Sequence, residues 1–254
     1  MMLRAERAAA EYWARGYLVL RGAFPRAEAA VWRQECERLV GATDLVHPLN
    51  LRTRFRTLSS GEKDLDRIDP VADVSPLFRA LARDERILAP VRAVLRDDAV
   101  PFKDKVMVKS PAITGYRLHQ DYAYWQPTGA PPDALLSVLV AVDGARAETG
   151  ALELFPRLHG HLLTPPGEIA DPDERELDLS RGELVETEPG DVVLFHSLAP
   201  HRSRDNSTRE TRFQLYVSYA AARYLDLLAS FYEQYHQNVR AGLDAGAREG
   251  AFFR

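Results

Sequence analysis

The chain has 254 residues, of which 46% are hydrophobic and 28% are charged, and its formal net charge at pH 7 is −4. This composition excludes a disordered or fibrous chain, and the weak charge predicts neither a nucleic acid nor a membrane surface as partner. No apolar run is long enough to cross a bilayer, and an N-terminus without an apolar segment predicts a cytoplasmic protein. The single cysteine, Cys36, excludes an internal disulfide and a cysteine-rich zinc site.

The first hundred residues are predicted to be mostly helical. Residues 4–15 are rich in Ala, Glu and Arg, and the short predicted strand GYLVL follows them. Pro25 opens a second helix, at a position where its missing N–H is not needed. A third helical region runs from Pro76 to about Leu95, and Pro90 within it predicts a kink or a break. Residues 43–70 show no clear period and are long enough to form a lid.

From about residue 102 the pattern changes to short apolar runs separated by Pro, Gly and Asp. The runs are KVMV, YRLHQDY, LLSVLVAV, ALELF, ELVE, GDVVLF and RFQLYVSY. Short strands with regular turn signals predict an antiparallel sandwich or barrel. Because no flexible linker divides the chain, we predict one domain over residues 1–254. Within it, 1–100 would be helical support and a possible lid, 101–220 the β core, and 221–254 a C-terminal helix.

The segment RLHQDYAYW places His119 and Asp121 two positions apart in a predicted strand, on the same face. Iron(II) in oxygenases is bound by two imidazoles and one carboxylate on one octahedral face. A lone His-x-Asp pair is more often structural in a chain with seven histidines. A carboxylate in an aromatic-rich strand nevertheless needs compensation, which a metal would supply. The pair therefore predicts two of the three ligands of a metal.

A third ligand would be a histidine that the fold brings back to this pair. The candidates are His47, His159, His161, His196, His201 and His236. The first and last lie outside the β-rich part, the pair around Gly160 is predicted to be on a surface loop, and His196 is predicted to face a wet strand end. His201 follows a turn and begins the segment that leads to Arg212. An arginine at the head of a core strand needs either an ordinary ion pair or a dicarboxylate co-substrate.

Three stretches together resemble one known family: HQDYAYW, ETGALELFPRLHGH and GDVVLFHSLAPHRSRDNSTRETR. They are similar to the phytanoyl-CoA dioxygenase family of iron(II)/2-oxoglutarate oxygenases. The resemblance implies a mainly β fold with flanking helices. Its core would be a double-stranded β-helix (a jelly roll, as in cupins) with an N-terminal helical layer and a C-terminal helix. Matched by motif, His119, Asp121 and His201 would bind the iron.

The resemblance also implies residues that bind the co-substrate. Arg212 would pair with the distal carboxylate of 2-oxoglutarate, Ser203 would be a second contact to it, and Lys105 would lie near the co-substrate.

Residues next to these motifs are candidates for the substrate pocket. Tyr122, Tyr124 and Trp125 follow the ligand pair, and alternating aromatics in a strand are otherwise core residues. Arg54, with its neighbours Arg52 and Arg56, would meet a phosphate or carboxylate of the substrate, or else lie on a solvated loop.

The implied function is a dioxygenase that uses iron(II), 2-oxoglutarate and O2 to hydroxylate an unactivated C–H bond of a small organic molecule, with release of succinate and CO2. Asp121 favours hydroxylation because related halogenases lack this carboxylate. Two alternatives stay open: a cupin-type metalloenzyme without 2-oxoglutarate, and a non-catalytic jelly-roll binding protein. The protein is expected to be a monomer or a homodimer.

Overall fold

The structure is a computed structural model that describes residues 2–58, 61–111, 113–165, 172, 174, 177–230, 233 and 252–253. Two antiparallel β-sheets lie face to face, and helices cover the outer face of the larger sheet. The helices are α1 (Met2–Arg15), α2 (Arg26–Val40), α3 (Pro76–Leu81), α4 (Glu85–Leu95) and α5 (Tyr122–Trp125). The first five strands are β1 (Tyr17–Leu20), β2 (Thr53–Thr57), β3 (Lys63–Ile68), β4 (Ala99–Lys109) and β5 (Leu135–Val140). The others are β6 (Leu152–Leu154), β7 (Glu183–Val185), β8 (Val192–His196), β9 (His201–Ser203) and β10 (Arg212–Ala221).

The larger sheet has the strand order β1-β8-β5-β10-β4-β3-β2, and the smaller has the order β7-β6-β9. All neighbouring strands are antiparallel. An isolated bridge pairs His119 with His201 and extends the smaller sheet by one position beyond β9. The sandwich has the architecture expected of a jelly roll. The N-terminal strand β1 belongs to the larger sheet, because it pairs with β8.

Strand β5 separates two hydrophobic layers. Leu139 packs between the two sheets with Leu154 and Phe195, while Val138 and Val140 face the helical layer. Successive side chains of a strand point to opposite faces, so a strand covered on both faces is apolar throughout. This double burial explains why LLSVLV is apolar at every position except Ser137. The helical layer is tightly packed as well, since Trp32, Cys36 and Leu39 of α2 are all buried.

The prediction that residues 43–70 are irregular is wrong, because they contain the hairpin of β2 and β3. Strand β3 pairs with β4, so the hairpin extends the larger sheet. The segment KDLDRI alternates only weakly, because the buried Asp66 occupies one of its inward positions. A charged residue at an inward position hides the period of two on which strand prediction depends.

The third helical region is interrupted, but not at Pro90. It consists of α3 and α4, and Pro90 lies inside α4. The break comes earlier because the Asp84 side chain accepts a hydrogen bond from the backbone N–H of Arg86 and so caps the start of α4. Apolar residues on both sides of the proline, Ile87 and Val91, are buried and hold α4 against the core.

The predicted strand YRLHQDY is also wrong in part. Only His119 makes a β-bridge, Asp121 lies in a turn, and residues 122–125 form one helical turn. The C-terminal tail is helical over residues 225–230, and most of the predicted remainder to residue 241 lies outside the described residues. None of the described helices is long and apolar enough to cross a membrane.

Candidate functional site

The structure brings His119, Asp121 and His201 together. One potential ligand atom of each residue lies within 4.8 Å of the others, and His119 Nε2 is 3.9 Å from Asp121 Oδ1. The two imidazole ring centroids are 4.1 Å apart. The pairing of His119 with His201 causes this approach, because each donates its backbone N–H to the carbonyl of the other. His201, the histidine predicted as the third ligand, therefore lies beside His119 and Asp121 in the folded chain.

Both imidazoles are oriented by a backbone carbonyl two residues earlier in the chain. His119 Nδ1 lies 2.8 Å from the carbonyl of Arg117, and His201 Nδ1 lies 2.9 Å from that of Ala199. A carbonyl only accepts, so in the neutral form of either ring Nδ1 carries the proton and Nε2 keeps its lone pair. Metal-binding histidines in proteins are commonly held in this way. Burial, followed by the neighbouring His119, lowers the pKa of His201 to about 4, so this ring stays neutral at pH 7.

Asp121 is held as a carboxylate. Its Oδ2 accepts a hydrogen bond from Ser137 Oγ of β5 at 2.5 Å. Burial disfavours the charge, but His201, His119 and Lys105 outweigh it, and the pKa of Asp121 lies below its usual value. Gln120, between the two ligands in sequence, points away from them and bonds to the carbonyls of His161 and Leu198. This anchor keeps the turn in place and lets the side chains on either side of it converge.

A second charged group, Arg212, lies in an adjoining cavity. Its side chain is buried, its Nη2 donates to the carbonyl of Gly150 at 3.1 Å, and burial lowers its pKa. Its Nε and Nη1 have no hydrogen-bond partner among the described residues. The two cavities share the lining residues Met107, Tyr116, Leu152, Ser203 and Tyr216. The cavity at the triad therefore adjoins a second one that holds a buried guanidinium with open donor positions.

Ser203 lines both cavities, as its predicted role requires. Its Oγ accepts hydrogen bonds from Lys109 Nζ at 3.0 Å and from the Tyr116 N–H at 3.1 Å. Lys109, which was not among the residues predicted from the sequence, also donates to the carbonyls of Gly150 and Arg204. Burial, then the neighbouring Arg212, lowers the pKa of Lys109 to about 7. Two basic side chains, those of Arg212 and Lys109, therefore line the cavity that adjoins the one at the triad.

Lys105 lines the cavity at the triad, on the same face of β4 as Lys103, Met107 and Lys109. Burial, together with Lys103, lowers the pKa of Lys105 to about 8, and Asp121 opposes this shift. Lysines at alternate positions of a core strand, as in FKDKVMVK, are the sequence signal that marks this face. Ser137, in contrast, carries no such signal, because a serine in an apolar run is common.

The predicted pocket residues have different positions. Tyr124 and Trp125 line the cleft in front of the triad. Tyr122 packs with Trp125 against a separate apolar cluster and donates its hydroxyl to the carbonyl of Ala130. Arg54 lines a different pocket, with Pro48 and Lys63, whereas Arg56 lines the cleft. Between these two arginines the register of the hairpin shifts, because Asp66 of β3 is an extra residue between the partners of Arg54 and Phe55.

The remaining candidate histidines lie elsewhere. The prediction that His196 faces a wet strand end is wrong, because it is buried and its Nε2 lies 3.2 Å from Asp133 Oδ1. His159 is half-buried rather than on the surface, with Nε2 at 3.1 Å from the carbonyl of Trp13. His47 and His161 are exposed, and His236 lies outside the described residues.

Residues 12–213 match the family described as phytanoyl-CoA dioxygenase (PhyH). Methylphosphonate hydroxylase from Gimesia maris is 32% identical over 155 residues, which are 61% of this chain and 58% of that protein. 2-Aminoethylphosphonate dioxygenase from an uncultured bacterium is 29% identical over 169 residues, which are 65% of this chain and 63% of that protein. The matched part of the chain thus spans about three fifths of the length of these two curated relatives.

Solved structures share the fold. EctD from S. alaskensis, crystallised with 2-oxoglutarate and 5-hydroxyectoine, has a TM-score of 0.75 and 24% sequence identity over 85% of this chain and 76% of that chain. The epimerase SnoN, in complex with Fe3+, alpha ketoglutarate and nogalamycin RO, has a TM-score of 0.70 and 22% identity over 87% of this chain and 85% of that chain. These likenesses confirm the double-stranded β-helix fold. Since the family match covers most of the chain as well, the protein belongs to the phytanoyl-CoA dioxygenase family of iron- and 2-oxoglutarate-dependent dioxygenases.

Proposed function

We propose that this protein is an iron(II)- and 2-oxoglutarate-dependent dioxygenase that hydroxylates a C–H bond of a small organic molecule. The observation that carries the proposal is the juxtaposition of the His119, Asp121 and His201 triad with the unpaired donors of Arg212 in an adjoining cavity. The triad suits a metal and Arg212 suits a carboxylate. 2-Oxoglutarate is a ligand that could bind the metal and Arg212 at the same time.

The donor set suits iron(II). Two imidazole nitrogens and one carboxylate oxygen form the facial triad typical of non-heme iron oxygenases. Within the part of the chain that the structure describes, no fourth His, Cys, Asp or Glu joins this group. Structural metal sites usually complete their coordination with protein ligands, so an open-faced triad favours catalysis over a structural role.

The Arg212 cavity suits the distal carboxylate of 2-oxoglutarate. A buried guanidinium with open donors is costly unless an anion pairs with it. A carboxylate can accept two parallel hydrogen bonds from one guanidinium. Between Arg212 and the triad, Met107 and Leu152 offer apolar contacts for the methylene carbons. This donor arrangement disfavours the alternative of a cupin-type enzyme that does not use 2-oxoglutarate.

The chemistry that iron(II) and 2-oxoglutarate supply when bound is the use of O2 to convert a C–H bond to an alcohol, with 2-oxoglutarate converted to succinate and CO2. The protein's own contribution is positional. Ser137 holds Asp121, and the Arg117 and Ala199 carbonyls keep the imidazole protons on Nδ1. Trp125 lines the cleft in front of the triad. The presence of Asp121 supports hydroxylation over halogenation.

The names of the two curated relatives support a substrate class. Both are named for reactions on phosphonates, and we take small organophosphonates as the first compounds to screen. The proposal also includes a single domain over residues 1–254 that acts as a monomer or homodimer.

The test is an anaerobic titration of the purified metal-free protein with iron(II) and then 2-oxoglutarate, followed by visible absorption. We expect a weak charge-transfer band that requires both additions and is absent in His201→Ala. Arg212→Met should weaken 2-oxoglutarate binding by about 30-fold or more, because it removes one partner of a buried charge pair.

Arg209→Met is the matched control, since Arg209 is exposed on the loop before β10. It should bind 2-oxoglutarate like the wild type. Metal binding without a 2-oxoglutarate-dependent band would exclude the proposed function and favour the cupin-type or the non-catalytic alternative.

A further inference from the structure

A basic cleft lies in front of the triad. Its cationic lining residues are Arg56, Arg67, Lys103, Lys105 and Arg117. Among the described residues that line it, the one carboxylate is Asp121, which the proposed function assigns to the metal. The metal and co-substrate do not balance these charges, because iron(II), Asp121, Arg212 and dianionic 2-oxoglutarate together are formally neutral. Cationic side chains thus outnumber carboxylates among the described residues that line the cleft.

The two arginines of the hairpin are held in place before any ligand binds. They share one buried carboxylate, with Arg56 Nε at 2.9 Å and Arg67 Nη1 at 3.0 Å from the oxygens of Asp66. Arg56 also donates to the carbonyls of Thr114 and Gly115 and lies over the Tyr116 ring. A more distant carboxylate, that of Asp69, lies 3.7 Å from Arg67 Nε. These ion pairs hold the two guanidinium groups in a preset geometry beside the cleft.

The two lysines add charge that has no close protein acceptor. Lys103 and Lys105 point to the same face of β4, while Asp104 between them accepts from the backbone N–H groups of Val71 and Ala72 on the other face. Neither ammonium group makes a hydrogen bond to the residues that the structure describes. Two adjacent, poorly compensated ammonium groups are stabilised when an anion lies between them.

The cations approach from separate segments: the β2–β3 hairpin, strand β4, and the loop that leads to His119. A planar carboxylate is satisfied by one guanidinium in one plane. A tetrahedral phosphorus oxyanion has three terminal oxygens that accept from several directions and carries up to two charges, which suits dispersed cations. Lysine is a common point-charge ligand of phosphate, and arginine binds it through paired N–H groups.

We propose that this cleft binds the phosphonate or phosphate group of the substrate, with Arg67, Lys103 and Lys105 as its main contacts. His119 and Asp121 line the same cleft, so the anionic group and the metal position are neighbours. The oxidised carbon is then close to the phosphorus, in a small molecule. The assignment of the anion site stands on the cleft alone, whereas the position of the oxidised carbon rests on the proposed function.

The experiment is calorimetric titration of the full-length protein with methylphosphonate, both metal-free and loaded anaerobically with iron(II) and 2-oxoglutarate. We expect saturable binding, and an increase in Kd of at least 10-fold in Arg67→Met and in Lys103→Met. Lys63→Met, at the exposed start of β3, is the matched control and should bind like the wild type. Propionate, a carboxylate of similar size, should bind more weakly than methylphosphonate.

The outcomes separate the two proposals. If methylphosphonate binding depends on Lys103 but no 2-oxoglutarate-dependent absorption band forms, the anion site holds and the proposed function fails. Equal affinity in Lys103→Met, Arg67→Met and the wild type would overturn the anion site, as would tighter binding of propionate. It would also be overturned if methylphosphonate raised the apparent Kd of 2-oxoglutarate, because the anion would then occupy the Arg212 cavity.

Discussion

The orientation of the three triad side chains depends on neutral hydrogen-bonding groups around them. The Arg117 and Ala199 carbonyls select the imidazole tautomer, and the Ser137 hydroxyl selects the carboxylate orientation. A metal site that relies on such partners is arranged before the metal arrives, and less of the binding free energy is lost in ordering the side chains. The identities of His119 and Asp121 could be predicted from their spacing, whereas these partners come from distant parts of the chain.

Ser137 is therefore a positioning residue whose loss should be measurable. Ser137→Ala removes the hydrogen bond to Asp121 Oδ2, and we expect iron(II) affinity to fall by about 10-fold or more, in the range found for outer partners of metal ligands. Competition with a chelator under anaerobic conditions measures this.

Ser137→Thr, which keeps a hydroxyl, should recover most of the affinity lost in Ser137→Ala, and Ser180→Ala, on the exposed surface, should have no effect. Wild-type affinity in Ser137→Ala would show that Asp121 is oriented without this bond.

At the scale of elements, the strands buried on both faces are the ones that the sequence predicts well. Strands β5, β8 and β10 have long apolar runs because both faces are covered. Elements with one charged inward residue are not predictable in this way. Strand β3 carries the buried Asp66, whose counterions Arg56 and Arg67 become visible only when the hairpin forms. Likewise, only the folded hairpin shows that Arg56, and not Arg54, lines the cleft.

The break between α3 and α4 gives a prediction about helix capping. Asp84→Ala removes the acceptor for the Arg86 N–H, and we expect the free energy of unfolding to fall by about 1 kcal/mol. Urea denaturation measures this difference.

Asp84→Ser keeps an oxygen for the cap but removes the charge that pairs with Arg86 on the exposed surface. It should therefore be close to the wild type, because exposed ion pairs contribute little. If Asp84→Ser is as unstable as Asp84→Ala, the charge and not the cap stabilises α4.

At the scale of the whole molecule, buried histidines make stability depend on pH. Burial, followed by the nearby His159, lowers the pKa of His196 to about 4. In the unfolded chain this ring takes up a proton near pH 6.5, but in the folded protein it does so only near pH 4. The stabilisation of the folded state that the neutral His196 ring provides is therefore complete above pH 6.5, and it is lost as the pH falls from 6.5 towards 4.

We expect the His196 ring to cost the metal-free protein on the order of 2 kcal/mol of unfolding free energy between pH 7 and pH 5. Urea denaturation at both pH values, in the wild type and in His196→Gln, measures this. The variant should lose less stability over that interval, because glutamine does not titrate.

His161→Gln is the control, since His161 is exposed, and it should follow the wild type. An identical pH dependence in His196→Gln and the wild type would contradict the prediction and place the titration on other groups.

The sequence by itself determined the chemistry that the protein can offer. The spacing of His119 and Asp121, and of His201 and Arg212, predicts a metal pair and an anion partner, and the family resemblance that these motifs carry is confirmed by the match over residues 12–213. These features depend on residues close together in the chain, where spacing and side-chain type are enough.

The tertiary structure decided which of these residues meet. The bridge between His119 and His201, the bond from Ser137 to Asp121, the position of Lys109 beside Ser203 and the choice of Arg56 over Arg54 all depend on strand order and register. Register is set by the packing of whole sheets, and a shift of one residue turns every side chain to the opposite face. Short-range patterns do not contain that information.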